Sequence, residues 1–279
     1  MRICYTSDFH GSRTHYEQLT EMLRAARPEL AILGGDMLPD GRDPDPPRDQ
    51  SAWVASELRA HIKAFKRAVP DLTVAICMGN HDWRAAEEAI RQLENAGVLT
   101  LLETRRVWSL GGIQFLGCSY APPSPHFVKD YERLDVDGDE LPRFECDVLT
   151  WDGNRVRSLT VEEHFQGNPS IEKELAGLPT PPAPWIFVAH APPFGTKLDR
   201  LPNVAQPIGS KAVRAFIERR KPLCALHGHV HESPDITHTC LDLLDGVPCI
   251  NPGQGRERMR AVVFDTDDIP NTLRHTEFR

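Results

Sequence analysis

Metal-capable and titratable side chains gather in five short clusters: Asp8-Phe9-His10, Gly34-Gly35-Asp36, Gly79-Asn80-His81-Asp82, His190, and Gly228-His229-Val230-His231. Asp8 and His10, two residues apart on a turn, can face one ion together, although an Asx-type turn with a solvated imidazole has the same composition. Asp36 follows two glycines, which permit close backbone approach. Asn80 offers a neutral oxygen ligand. His81 beside Asp82 has the make-up of a general acid with an orienting carboxylate, while Asp82 equally suits the N-cap of a helix starting near Trp83. His190 follows the apolar WIFVA, a position where a lone histidine is more often structural. His229 and His231, two apart in extended chain, point the same way, and Gly228 removes a side chain that would crowd a nearby metal. His227 points oppositely and reads as a supporting or packing residue.

Together these supply three carboxylates (Asp8, Asp36, Asp82), four imidazoles (His10, His190, His229, His231) and one carboxamide. One ion takes at most about six ligands, so the inventory fits two ions better than one. Nitrogen and oxygen donors without thiolate suit manganese, iron, zinc, cobalt or nickel. Two such ions ~3.5–4 Å apart form a clamp for phosphoryl transfer.

The elements that must position these groups follow from periodicity. Residues 2–6, 30–34, 72–78, 113–118, 185–189, 223–226 and 246–250 are apolar, β-branched runs that predict strands; 15–26, 51–68, 84–96, 170–177 and 210–220 carry apolar positions at helical spacing. In 51–68, Val54, Leu58, Ile62 and Phe65 mark one buried face, with Ser51 as N-cap and Pro70 as a stop. Alternation of this kind predicts an α/β fold. Each chemical cluster follows a strand, and in open α/β sheets ligands bind at the carboxyl ends of strands, so five loops can converge on one point. Residues 119–168 break the rhythm with Pro122, Pro123, Pro125, Pro142 and many acids; they read as an insertion or lid-like excursion with too few apolar residues for a core of its own. The tail holds RAVVFDT and TLRHTEF, which suggest a closing pair of strands.

Composition narrows the function classes. The 279 residues carry 32 Lys+Arg against 40 Asp+Glu, a net charge of −8, which argues against a protein built to clamp nucleic-acid backbone. No run approaches the ~18 apolar residues of a membrane span, and the first ten residues read as a strand instead of a signal peptide. Seven cysteines, an odd number without C-x-x-C spacing, predict reduced thiols, five of them in apolar runs. These features predict a soluble, cytoplasmic protein.

In sequence order, D-x-H at 8–10, G-D at 35–36, G-N-H-D at 79–82, H at 190 and G-H-x-H at 228–231 resemble the motifs of the calcineurin-like metallophosphoesterase family. The resemblance implies a two-sheet β-sandwich flanked by helices, four layers αββα, as a single domain over 1–279 with the insertion at about 119–168. It implies a dinuclear centre in which Asp8, His10, Asp36 and His231 hold one ion, Asp36 bridges, and Asn80, His190 and His229 complete the second site. It implies hydrolysis of a small phosphoester by a hydroxide bridging the two ions. His81, supported by Asp82, would protonate the leaving oxygen or steady its charge. A diester is favoured over a monoester by family analogy alone. The chain departs from the common G-D-x-x-D form, with Pro39 where the second Asp would stand and Asp40 one place later. The Asn251-Pro252-Gly253 turn resembles a structural feature of the family. Lys197 and Arg200, in the loop after His190, are candidate cations for a substrate phosphate. The rival reading is a non-catalytic metal-binding scaffold that docks a protein partner; the intact ligand set and His81 weigh against it.

Overall fold

The computed structural model describes residues 1–40 and 45–277. Its strands are β1 (Arg2–Thr6), β2 (Leu30–Gly34), β3 (Thr73–Cys77), β4 (Thr100–Leu101), β5 (Val107–Leu110), β6 (Ile113–Cys118), β7 (Val148–Trp151), β8 (Val156–Leu159), β9 (Trp185–Ala189), β10 (Cys224–Leu226), β11 (Leu241–Leu244), β12 (Val247–Ile250), β13 (Val262–Asp265) and β14 (Arg274–His275). The helices are α1 (Arg13–Ala26), α2 (Pro46–Trp53), α3 (Arg59–Ala68), α4 (Ala86–Asn95), α5 (Val161–Gln166), α6 (Ile171–Ala176), α7 (Lys211–Arg220), α8 (Ser233–Thr237) and α9 (Ile269–Thr272). Among the described residues the strands form two six-stranded sheets, in the orders β14-β13-β1-β2-β3-β4 and β11-β12-β10-β9-β6-β5, plus the β7-β8 ribbon. In the first sheet β1, β2, β3 and β4 run parallel, and the expected tail pair β13-β14 closes it antiparallel. In the second, β12, β10, β9 and β6 are parallel, with β11 and β5 antiparallel at the edges.

Strand alternation sorts the side chains into layers. Ile3, Tyr5, Ile32 and Ala75 of the first sheet meet Phe115, Ile186, Val188, Leu226 and Ile250 of the second in one buried cluster. The opposite face of the first sheet, with Cys4, Ala31, Leu33, Val74 and Ile76, is covered by Leu19, Leu23, Ile62, Phe65 and Ile90 from α1, α3 and α4. The outer face of the second sheet packs Leu116, Phe187 and Ala225 against Ile171, Leu175, Val213, Phe216 and Ile217 of α6 and α7. The result is the four-layer αββα sandwich.

The helix expected from Ser51 begins earlier, at Pro46, with Asp45 at the N-cap. Proline suits the first helical turn because its missing N–H would have no intrahelical partner there. Ser51 lies inside the helix and donates to the Pro47 carbonyl at 2.8 Å. A π-helical turn, Val54–Leu58, joins α2 to α3. Residues 119–168 hold the β7-β8 ribbon and α5, whose start is a capping box of Thr160 and Glu163. Buried Asp130 fastens this stretch to the rest, accepting from the amides of Arg84 (2.9 Å) and Trp151 (2.8 Å). All seven cysteines are free, and six are buried. No helix among the described residues is long and apolar enough to cross a membrane.

The inter-sheet cluster should dominate stability. Phe115→Ala, at a fully buried position, is expected to cost about 3–5 kcal/mol in urea unfolding, whereas Leu243→Ala, at a side chain 62% exposed, should change it by no more than about 0.5 kcal/mol.

Candidate metal centre

Five loops that leave β1, β2, β3, β9 and β10 bring Asp8, Asp36, Asn80, His190 and His229 together at the carboxyl ends of the parallel strands of both sheets. Asp8 (φ 62°), His10 (φ 45°), Asp36 (φ 51°) and His229 (φ 66°) have left-handed backbone, which turns the chain sharply over the strand ends. The loops are tied to one another: Asp8 N–H donates to the Gly35 carbonyl and His10 N–H to that of Asp36, both at 2.9 Å. Glycines leave room for this crowding. A Cβ at Gly35, whose φ is 102°, would lie 2.4 Å from His190 Nδ1, and one at Gly79 would lie 2.2 Å from Asp36 Oδ1.

Ligand atoms of Asp8, His10 and His231 form one group and those of Asp36, His190 and His229 another. In the first, His231 Nε2 lies 3.2 Å from Asp8 Oδ1 and 3.4 Å from His10 Nε2. In the second, His190 Nε2 lies 3.2 Å from both Asp36 Oδ2 and Asn80 Oδ1, and His229 Nδ1 lies 2.8 Å from Asn80 Oδ1. His190 Nδ1 donates to the Gly34 carbonyl at 3.0 Å, which leaves Nε2 facing two oxygen acceptors. Such a convergence of lone pairs requires a cation, either a proton on the imidazole or a metal ion. The Asp and His donor set, three of its members buried and three half-buried, is free of thiolate and fits divalent metals.

The charge balance follows the same logic. Burial disfavours the Asp36 carboxylate, yet His190 and His81 outweigh it and hold its pKa well below the ordinary range. Burial also opposes charge on Asp8, but His231 and His190 bring that carboxyl down to about 2. Burial would depress His190, whereas Asp36 and Asp8 raise it to about 9. His229 faces mainly burial and the His190 charge, and falls to about 3, which keeps it neutral.

Two expectations need correction. The 228–231 segment is not extended: Val230 N–H donates to the Gly228 carbonyl at 2.7 Å, a tight turn about His229. The two imidazoles therefore serve different groups. Nor does Asp82 orient His81. Its carboxylate turns inward and accepts from the amides of Gly79 (2.9 Å), Asp36 (3.0 Å) and Leu38 (3.2 Å), and it caps no helix because α4 begins at Ala86. His81 Nδ1 instead lies 3.0 Å from Asp40 Oδ1, which is also 3.2 Å from His10 Nδ1. The acid displaced by one place in the sequence is the one that meets the imidazole. Burial lowers the His81 pKa, but Asp36 and Asp40 raise it to about 9.

Three carboxamide side chains hold the loops. Asn251 donates to the carbonyls of Leu198, Gly228 and Val230, which supports the 228–231 turn as its N-P-G motif suggests. Gln50 donates to the Pro39 and His81 carbonyls and accepts from Trp83 N–H, so it fixes the Asp40 and His81 loops together. Gln254 donates to the Ser7 carbonyl at 2.9 Å. A cavity of about 360 Å³ opens over the centre, lined by Asp36, Asn80, His81, His229 and His231 on one side and by Pro122, Pro123, Ser124, Pro125, His126, Leu201, Ile208 and Glu232 on the other. The His126 ring stacks on His81 at 3.6 Å between centroids, with 10° between planes. Lys197 and Arg200 are absent from this lining. Their loop closes on Asp199, which accepts from the amides of Gly195, Thr196 and Gly209.

The calcineurin-like phosphoesterase family model matches residues 1–233. This chain belongs to the calcineurin-like phosphoesterase family. Family membership makes it a metallophosphoesterase, a metal-binding hydrolase of phosphoesters, and implies a dinuclear divalent metal centre. No curated protein sequence matches the chain. Solved structures share the fold at low identity: the protein TT1561 of Thermus thermophilus is 17% identical with a TM-score of 0.58 over 100% of this chain and 99% of its own. A dimetal phosphatase from Danio rerio is 13% identical with a TM-score of 0.52 over 94% and 91%.

Two outcomes test the centre. Asp36→Asn keeps the shape but removes the charge, and is expected to lower metal content below two ions per chain, by elemental analysis, with the fold retained. His190, whose pKa is raised from the ordinary 6.5 to about 9, adds stability that is fully present below pH 6.5 and lost as pH rises through 9. The melting temperature of chelator-treated protein should therefore fall between pH 7 and pH 9.5, and the fall should diminish in His190→Ala.

Proposed function

We propose that this chain hydrolyses phosphodiesters that bear an apolar ester group. The observation that carries this reading is the cavity wall. Facing the ligand residues stand Pro122, Pro123, Pro125, Leu201 and Ile208; among the described residues no lysine or arginine lines the cavity, and beside the ligand Asp36 its one carboxylate is Glu232. A phosphomonoester dianion or a polyphosphate would call for cations beyond the metal ions, whereas a diester carries a single negative charge and presents a second organic group to the prolines.

Asp8, His10, Asp36 and His231 would hold one divalent ion, and Asn80, His190 and His229 the other, with Asp36 shared. When bound, such ions would supply activation of a nucleophilic water and would offset charge on the phosphoryl oxygens. The protein's own contribution is orientation and a proton. Asp40 keeps the His81 ring fixed through Nδ1, and the stacked His126 limits its rotation. The charged ring can then donate to the leaving ester oxygen. Asp82 acts at one remove, holding the amides that shape the Asp36 and Asn80 loops.

General acid help is typically worth about 10²–10⁴ in rate. His81→Ala is expected to lower kcat by that order on diesters with alkoxide leaving groups, with metal content unchanged, and by much less on p-nitrophenyl esters. Asp40→Asn should give a smaller loss with the same leaving-group pattern. With added Mn²⁺, kcat/KM for an aryl phosphodiester should exceed that for the matching monoester. A reversed preference would overturn the diester reading, and absence of turnover on either would favour a binding scaffold.

A further inference from the structure

Asn80 reaches the centre from the β3 loop, but its amide is held by a residue far away in the chain. Asn80 Nδ2 donates to Glu132 Oε1 at 3.1 Å. Glu132 lies in the 119–168 stretch and is 0% exposed. The same oxygen accepts from Ser124 Oγ at 2.5 Å, while Oε2 accepts from Ser124 N–H (2.9 Å) and from Lys129 Nζ (2.7 Å). Lys129 is also 0% exposed, and its ammonium further donates to the carbonyls of Ser124 and His126. The ammonium's three protons thus have three acceptors, and the Glu132 carboxylate keeps one direction for the site.

A buried ion pair is costly to desolvate and contributes little net stability over apolar residues of similar volume. Its place here suggests a different role. An asparagine amide has an acceptor end and a donor end of nearly equal shape, and only the oxygen can ligate a metal ion. An ionised carboxylate only accepts. Opposite Glu132, the amide must present its NH₂, which leaves Oδ1 pointing at His190 Nε2 and His229 Nδ1.

We infer that Glu132, held by Lys129, is a positioning residue that locks the Asn80 carboxamide with its oxygen toward the second metal site. The insertion thereby takes part in building the metal centre as well as lining the cavity above it. This inference rests on the reading that Asn80 is a ligand, and the test separates the two.

Mn²⁺ is titrated calorimetrically into chelator-treated full-length protein, and the two binding events are followed separately. Asn80→Asp offers a chemically stronger ligand but sets a carboxylate against Glu132. It is expected to weaken the second Mn²⁺ by about 10–100-fold while sparing the first. Asn80→Asp/Glu132→Gln restores a donor–acceptor pair with the same total charge and volume, and should recover most of the loss. Lys129→Met/Glu132→Leu, which removes both charges together, should also weaken only the second event. An Asn80→Asp variant that binds the second Mn²⁺ as tightly as wild type, or more tightly, overturns the inference. So does an unaltered second event in Lys129→Met/Glu132→Leu. If Asn80→Ala keeps both events at wild-type affinity, the ligand reading itself falls, and the positioning role falls with it.

Discussion

A carboxylate buried where two sheets meet must be surrounded by donors or cations, and Asp36 is that carboxylate. It is 1% exposed, receives the His81 amide at 2.8 Å and sits 3.2 Å from the His190 ring. Neither partner is near it in sequence: one hangs from β3 and the other from β9, in the opposite sheet. The charge can be kept only if both sheets end at the same level, and only if Gly35 and Gly79 let the backbone come close. Asp82 shows what happens without such partners. Burial and the nearby Asp36 charge push its carboxyl up to about 7, because it faces neutral amides, while Asp36 faces imidazoles and goes down. Two acids in one pocket are thus driven apart, and negative charge is concentrated where a cation is wanted.

This dependence explains which parts were legible in the sequence. Parallel strands buried on both faces read as short unbroken apolar runs, and 2–6, 30–34, 113–118 and 185–189 were recognisable to the residue as β1, β2, β6 and β9. Each run ends in a polar cluster, so the ligand loops were legible with them. Short or polar elements left no such trace: β5, with one exposed and three half-buried residues, the β7-β8 ribbon and β11 lack the apolar run. Pairings across loops were equally hidden. Nothing local says that Asp40 will meet His81 while Asp82, the adjacent acid, will not. The choice is made by Gln50, which binds the Pro39 and His81 carbonyls and draws the two loops together.

Glu132 and Lys129 illustrate a different kind of silence. In sequence they are two charges in an acidic, proline-rich stretch, where charged residues are normally solvated. Burial converts them into a fixed acceptor for Asn80, a role that depends wholly on tertiary contact. The loop that carries Lys197 and Arg200 is organised by a residue between them. Asp199 gathers the amides of Gly195, Thr196 and Gly209 and shapes the loop around itself, so the buried acid and not the two cations sets its form. Charge pattern alone does not reveal direction.

The site therefore divides by the rigidity of what carries it. Asp8, Asp36, Asn80, His190 and His229 sit within a few residues of strand ends, and strands hold side chains more accurately than loops do. Ions a few ångströms apart leave little tolerance, so this half belongs on the sheets. The cavity wall comes instead from 122–126 and from Leu201 and Ile208, in irregular segments that accept substitution without disturbing the sandwich. Glu132 crosses the division to a metal ligand, tying the irregular segment to Asn80, while His126 of the same segment stacks on His81. A change in the wall can alter which ester group fits, but a change that moves Glu132 reaches the metal centre itself. The insertion is thus free to vary at its prolines and constrained at its buried charges.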